Sequence, residues 1–150
     1  MTGRPTIRYW HLWVDGEGVS HQTQCAMDHF HLDSIQPTAD PQWLGEKISG
    51  ATTTLVTILP VGWIGDWHEN PKPQWIVPLS GCWSVEAMDG TRVELGVGEL
   101  SFGADQDCRQ SDGKRGHRSG TLGNAPAVLM LVQFDMVPAP RPPCLSGGRQ

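Results

Sequence analysis

The stretch GWIGDWHENPKPQWIVPLSG, residues 62–81, carries a regularly spaced set of glycine, histidine and amide residues. Five residues separate Gly62 from His68, and Asn70 follows after one further residue. Gln74 comes after three more residues, and Gly81 closes the stretch after another six. The residues between Gln74 and Gly81 are mostly apolar, which favours a strand with the polar residues at its start.

The sequence on both sides of this stretch has the pattern of an all-β protein. Residues 51–59 (ATTTLVTIL) are rich in β-branched side chains, and residues 128–134 (VLMLVQF) form a continuous apolar run, so both predict strands. Residues 7–14 favour another strand. The Asp89-Gly90 pair between two strand-like runs indicates a hairpin with a two-residue turn. Pro78 predicts a sheet edge or a bulge, because proline cannot donate to a ladder.

The spacing from Gly62 to Gly81 resembles the first motif of the cupin family, G-x5-H-x-H-x3,4-E-x6-G. Asn70 stands where that motif has its second His, and Gln74 stands where it has Glu. The spacing therefore points to the fold of the family, whereas the two changed residues decide how much of its chemistry applies to this chain.

Two further segments resemble elements of small bacterial cupins. The run MDGTRVELGVGE, residues 88–99, is similar to a hairpin of the family, and Gly116-His117 matches the start of its second motif. That motif departs from the family pattern, since no Asn lies four residues after His117. The resemblance implies an all-β fold, a cupin-type double-stranded β-helix (jelly-roll barrel) with N-terminal extension strands. The implied domains are an N-terminal arm with packing strands (1–50), the barrel (51–137) and a flexible Pro/Gly-rich tail (138–150).

In cupins the residues at four motif positions converge inside the barrel and bind one divalent metal. Carried over to this chain, those positions are His68, Asn70, Gln74 and His117. The implied metal is Fe, Zn, Ni or Mn. Imidazole is a good ligand for Fe, Zn, Ni or Cu, but the carboxylate of the motif is replaced by a neutral amide, so metal binding would be weaker and less selective. The alternative is that His68 and His117 are hydrogen-bonded pocket histidines without a metal. The residues leave both interpretations open.

Three other side chains are candidates for a role in the site. Asp66 lies two residues before His68, on the same side of an extended strand, and is either a catalytic or orienting carboxylate or a solvent-facing residue. His29 and His31 have H-x-H spacing in the N-terminal arm, where they either cover the pocket mouth or lie on the surface. The loop 103–116 (GADQDCRQSDGKRG) is long and polar, which is typical of functional or mobile segments.

Composition excludes several classes of partner. The chain has 11 basic and 16 acidic residues, a net charge of −5 and no basic block, so a nucleic-acid partner is not expected. No apolar run is long enough for a membrane span, and the N-terminus lacks the apolar stretch of a signal peptide. We therefore expect a cytoplasmic protein.

The four cysteines are scattered along the chain and form no C-x-x-C pair. This spacing is not typical of a disulfide framework or of a structural zinc site. We expect reduced thiols that serve as small apolar residues.

Two functions remain in competition at this point. The first is a small cupin enzyme of lyase, isomerase, cyclase or oxygenase type, in which His68, His117 and Asp66 act on a small organic molecule with or without a metal. The second is a ligand-binding or sensing cupin that performs no catalysis. Small cupins are commonly dimers, so the resemblance implies a homodimer.

Overall fold

The computed structural model of the chain describes residues 3–135 and residue 144. These residues are all-β, as expected, and no helix occurs among them, so nothing there is long and apolar enough to cross a membrane as a helix. The strands are β1 (Ile7–Val14), β2 (Ser20–Met27), β3 (His31–Asp33), β4 (Gln42–Leu44), β5 (Thr52–Leu59), β6 (Gln74–Ser80), β7 (Cys82–Ala87), β8 (Arg92–Leu95), β9 (Leu100–Ala104), β10 (His117–Leu122) and β11 (Ala127–Phe134).

The described strands pair into separate sheets and do not close into one hydrogen-bonded barrel. The largest sheet has six strands in the order β2-β1-β9-β6-β11-β5, and the second has three in the order β10-β7-β8. Strands β3 and β4 form a small sheet of their own. The segment that precedes β6 extends the second sheet, because Ile64 bridges Gly120 and His68 bridges His117 on β10.

The two larger sheets pack face to face over the main core. Trp83 and Val85 of the three-stranded sheet lie against Leu12, Ile76 and other apolar residues of the six-stranded sheet. Each of these side chains is at most 5% exposed. Residues at alternate positions of one strand face opposite sides, so Gln74 and Ile76 point towards this core, whereas Trp75 points away.

The other face of the six-stranded sheet carries a second, aromatic core. Trp75 lies edge-on to Tyr9 and Phe102, with ring centroids 5.1 Å and 4.8 Å away. Phe134 and Cys25 complete the buried part of this cluster, and Cys144 packs against it from the C-terminal segment. The six-stranded sheet is therefore buried on both faces over its central strands.

Most strand predictions are confirmed, including the irregularity at Pro78. The register between β6 and β11 shifts opposite Pro78, and β9 pairs with β6 only over Gln74–Ile76, so the missing N–H of the proline is not needed there. The hairpin at Gly90 is present, but the prediction of a two-residue turn is wrong. Of the two predicted turn residues, Asp89 and Gly90, only Gly90 has a positive φ, of 88°. The connection from β7 to β8 spans four residues.

The first two N-terminal strands are part of the six-stranded sheet. Strand β1 lies between β2 and β9, and pairs with β9 in parallel. The predicted flexible tail, 138–150, lies outside the described residues except for Cys144.

Candidate functional site

The centre of the site is a buried carboxylate that the sequence analysis did not single out. Asp105 has no solvent exposure. Its Oδ1 accepts hydrogen bonds from the backbone N–H and the Nδ2 of Asn70, at 2.9 Å and 2.7 Å. Its Oδ2 lies 2.6 Å from Nδ1 of His117, which is 4% exposed. Both oxygens of this buried charge are thus partnered, as burial of a carboxylate requires.

A ladder of side-chain amides extends from this carboxylate along the interior. Gln74 donates through Nε2 to Oδ1 of Asn70 at 2.5 Å. Gln133, on the neighbouring strand β11, donates through Nε2 to Oε1 of Gln74 at 2.9 Å. Asn70 and Gln74 are each 4% exposed. The side-chain carbonyl oxygen of each accepts a hydrogen bond from the next amide of the ladder.

Two glycines create the space that this network occupies. The side chain of Asn70 lies directly over Gly103 of β9, where an added Cβ would come within 2.4 Å of the Asn70 Nδ2. Gly116 has a φ of 79°, and a Cβ there would meet the carbonyl oxygen of His68 at 2.2 Å. The close approach at Gly116 lets His68 and His117 exchange two backbone hydrogen bonds of 2.9 Å.

His68 lies at the edge of the network and is exposed to solvent. Its ring packs on that of His117, with centroids 4.5 Å apart and planes inclined by 52°. Its Nδ1 is 2.8 Å from the backbone carbonyl of Asp66, so it is that carbonyl, not the Asp66 carboxylate, that contacts the imidazole. Asp66 is itself exposed, and so are His29 and His31 in the N-terminal arm.

Electrostatics keep Asp105 ionised. Burial alone would raise the pKa of this carboxyl, but the hydrogen bond and charge of His117 and the two donors of Asn70 lower the pKa below its usual value. When His117 is neutral, the ionised Asp105 keeps the single ring proton on Nδ1, which donates to Oδ2. The Nε2 atom of His117 then carries a lone pair, which is the form in which imidazole accepts a proton or binds a ligand.

The four positions implied by the cupin resemblance do not fit a four-ligand metal centre. The structure brings Asn70, Gln74 and His117 together, but the amide oxygens are engaged as acceptors within the ladder. Only the Nε2 atoms of His68 and His117 remain, with no anionic ligand. Within the described residues, the one group of three His, Cys, Asp or Glu ligand atoms close together lies elsewhere in the fold.

That group lies in the second core and corrects the expectation about the cysteines. Cys25 and Cys144 form a disulfide, with Cα atoms 5.3 Å apart, whereas Cys82 and Cys108 are free. The expectation of four reduced thiols is therefore wrong for this pair. The two residues are 119 positions apart, so they meet only in the folded chain.

His11, beside this disulfide, is another functional candidate that sequence reasoning missed. It is 1% exposed, and neither ring nitrogen has a hydrogen-bond partner among the described residues. Burial lowers its pKa to about 4, so the ring is neutral at physiological pH. Its position in the strand YWHLW gave only a weak signal, because histidine is intermediate in its tendency to be buried.

Comparisons with known proteins do not identify this chain. No protein-family model matches it, and no curated protein matches its sequence. The resemblance to cupins accordingly rests on the motif residues alone, and the functional interpretation rests on the geometry of the buried network.

Proposed function

We propose that this protein is a variant of the cupin double-stranded β-helix whose pocket binds a small organic molecule and transfers a proton on it without a metal. The observation that carries the proposal is the buried pair of His117 Nδ1 and Asp105 Oδ2, 2.6 Å apart. A carboxylate that orients an imidazole in this way is the arrangement used in general acid–base catalysis. The exposed ring of His68 on top of His117 supports the view that a ligand reaches the pair from that side.

In this mechanism His117 acts through Nε2. The Nε2 lone pair removes a proton from the substrate, for example from a carbon next to a carbonyl group, and the imidazolium then returns it at the same or a neighbouring atom. Asp105 stabilises the positive charge that forms on the ring and prevents its rotation. Burial strengthens this electrostatic effect, because both groups are almost completely removed from water.

His68 has a different role, since it is exposed and bound only to a backbone carbonyl. Its Nε2 is available to a substrate carbonyl or carboxylate oxygen as a hydrogen-bond donor once the ring is protonated. Asn70 and Gln74 contribute indirectly, because their amides hold Asp105 in place and are not aimed at a ligand. Isomerisation, elimination and cyclisation are the reaction types that such a proton shuttle serves.

One observation favours the second candidate, a ligand-binding protein without catalysis. The amides of Asn70, Gln74 and Gln133 bond to one another, which is the pattern of a rigid scaffold. A binding protein would need the same rigid pocket but not the lone pair on His117. A change in the tautomer of His117 would therefore abolish the function of the first candidate and leave that of the second intact.

The test measures exchange of carbon-bound protons in D2O. A panel of small keto and hydroxy acids is incubated with the metal-depleted protein and followed by NMR. The wild type should exchange protons of one member of the panel, and Asp105→Asn should slow this by about 10²–10⁴-fold, because an amide leaves the His117 proton on Nε2. His117→Gln should have a similar effect.

The matched control is Asp107→Asn, which makes the same change at an exposed position two residues away. It should exchange protons at the wild-type rate. Exchange that is lost on metal depletion and restored by added metal would contradict the proposal. Ligand-induced thermal stabilisation without any exchange would favour the binding protein instead.

A further inference from the structure

A second cluster of chemically active side chains lies on the opposite face of the six-stranded sheet from the Asp105 network. It consists of His11 on β1, Cys25 on β2 and Cys144 in the C-terminal segment. One ring nitrogen and the two sulfur atoms lie within 4.8 Å of one another. The aromatic core closes around them, with the ring of Phe102 5.5 Å from that of His11.

The oxidised structure leaves the histidine of this cluster without a partner. His11 is 1% exposed, and both of its ring nitrogens lack hydrogen bonds within the described part of the chain. A buried polar group without a partner is uncommon and needs an explanation. Each sulfur atom is meanwhile bonded to the other, so in this state neither cysteine offers a thiolate to a third species.

We propose that reduction of the Cys25–Cys144 disulfide creates a binding site for a thiophilic divalent cation such as Zn²⁺, held by His11 and the two thiolates. One imidazole and two thiolates are a familiar ligand set for zinc, with the fourth position open to water or a small ligand. The cation would provide a partner for one of the two unpartnered ring nitrogens of His11.

The geometry requires only a local change. Two thiolates on a tetrahedral zinc lie roughly 3.8 Å apart, given Zn–S bonds of about 2.3 Å. Cys25 and His11 are fixed by the pairing of β1 with β2, where Tyr9 faces Cys25 and His11 faces Thr23. The sulfurs can separate by rotation about their Cα–Cβ bonds, since their Cα atoms are 5.3 Å apart.

The exchange of electrons and protons is balanced by a thiol reductant. A dithiol supplies two electrons and two protons to the disulfide and is itself oxidised to a disulfide. The two protein thiols then lose their protons as the cation binds, so that binding weakens as pH falls. The site is therefore present only when the chain is reduced, and it links metal binding to the redox state.

The experiment uses the full chain without a histidine tag, in oxidised form and after reduction and removal of the reductant under argon. Co²⁺ serves as the spectroscopic probe and Zn²⁺ as its competitor. The reduced chain should bind one Co²⁺ with thiolate-to-cobalt charge-transfer bands and intense tetrahedral visible bands, and Zn²⁺ should displace it. The oxidised chain should give neither.

Two variants assign the ligands, and one variant is the control. His11→Phe should weaken Zn²⁺ binding by at least about 100-fold, since it removes a direct ligand, and Cys144→Ser should abolish the charge-transfer bands of two thiolates. Cys82→Ser changes an exposed free cysteine and should bind like the wild type. A circular dichroism spectrum recorded with each measurement shows whether the chain keeps its β-sheet structure.

Three outcomes would overturn the proposal. The first is a reduced, folded wild type that binds no Co²⁺. The second is unchanged affinity and spectrum in either His11→Phe or Cys144→Ser. The third is a reduced chain that unfolds and is not returned to its β-sheet spectrum by Zn²⁺, because a cation held by these three residues must stabilise the fold that brings them together.

Discussion

Each face of the six-stranded sheet is buried together with one histidine, and the two histidines have opposite surroundings. His117, between the sheets, lies 2.6 Å from the carboxylate of Asp105, which is held by Asn70 in turn. His11, in the aromatic core, has no hydrogen-bond partner among the described residues and lies beside a disulfide. Both residues are at most 4% exposed.

The difference shows that burial alone does not decide what an imidazole does. A carboxylate on Nδ1 makes His117 suitable for exchanging protons through Nε2. Burial without a carboxylate lowers the pKa of His11 to about 4, so the ring stays neutral, with one N–H and one nitrogen lone pair. The first environment suits proton transfer and the second suits a cation, and variants that alter one environment at a time can separate the two.

The largest effect is expected from removal of the disulfide beside His11. In a chelator solution, Cys144→Ser should lower the free energy of unfolding by about 5 kcal/mol, because the bridge closes a loop of 119 residues in the unfolded chain. Urea denaturation measures the change, and the wild type in reductant should approach the variant. The exposed Cys82→Ser variant should retain wild-type stability. Equal stability of the two variants would show that the bridge adds nothing to the second core.

The second largest effect is expected from removal of the Asp105 carboxylate, on the opposite face of the six-stranded sheet. Asp105→Ala leaves Nδ1 of His117 and two donors of Asn70 without an acceptor, so we expect a loss of about 3–5 kcal/mol. Urea denaturation with Asp107→Asn as the control isolates the effect, since Asp107 is exposed and asparagine tolerates its positive φ of 66°. A loss below that of Cys144→Ser supports this order of effects, whereas no loss would contradict the role of Asp105 in the network.

The sequence predicted the all-β class and most of the strands, because alternation and β-branched runs act locally. It also predicted a strand that starts near Gln74, because the run that follows is mostly apolar, and β6 begins at that residue. It did not predict Asp105, because the loop residues GADQD offer two aspartates and only tertiary packing decides which one is buried. The pairing of Cys25 with Cys144 was missed for the same reason, since residues 119 positions apart meet only in the folded chain.

A smaller loss of stability is expected at Gly103, which contacts the network through packing against Asn70, because it has no side chain that could form a hydrogen bond. Gly103→Ala places a methyl group within 2.4 Å of the Asn70 amide, so Asn70 must move and its bonds to Asp105 lengthen. We expect a loss of about 1–3 kcal/mol in urea denaturation, the usual range for overpacking. Gly16→Ala, where a new Cβ has no neighbour within 4 Å, is the matched control. If both variants unfold alike, Gly103 is not needed for the network.

The smallest effect concerns a third histidine, which has carboxylates like His117 but lies nearer to solvent. His21 contacts Asp15 in the β1–β2 turn at 2.6 Å and Asp89 in the β7–β8 turn at 2.9 Å, so it links the two sheets. Burial opposes its charge, but the hydrogen bonds and charges of the two carboxylates raise its pKa above 6.5. Asp15, bonded to the backbone of Val19 and to His21, has its pKa lowered to about 2.

The sign of the pH dependence is set by these two shifts. A raised folded pKa means that the contribution of His21 is complete below pH 6.5 and is lost as pH rises through the folded value. The wild type should therefore keep its stability advantage over His21→Gln below pH 6.5 and lose it as the pH rises above that value, as measured by urea midpoints. His29→Gln, at a side chain that is 79% exposed, should follow the wild type at every pH. Parallel curves for wild type and His21→Gln would mean that solvent screens this link completely, and that a carboxylate partner matters to a histidine in this protein only where both are buried.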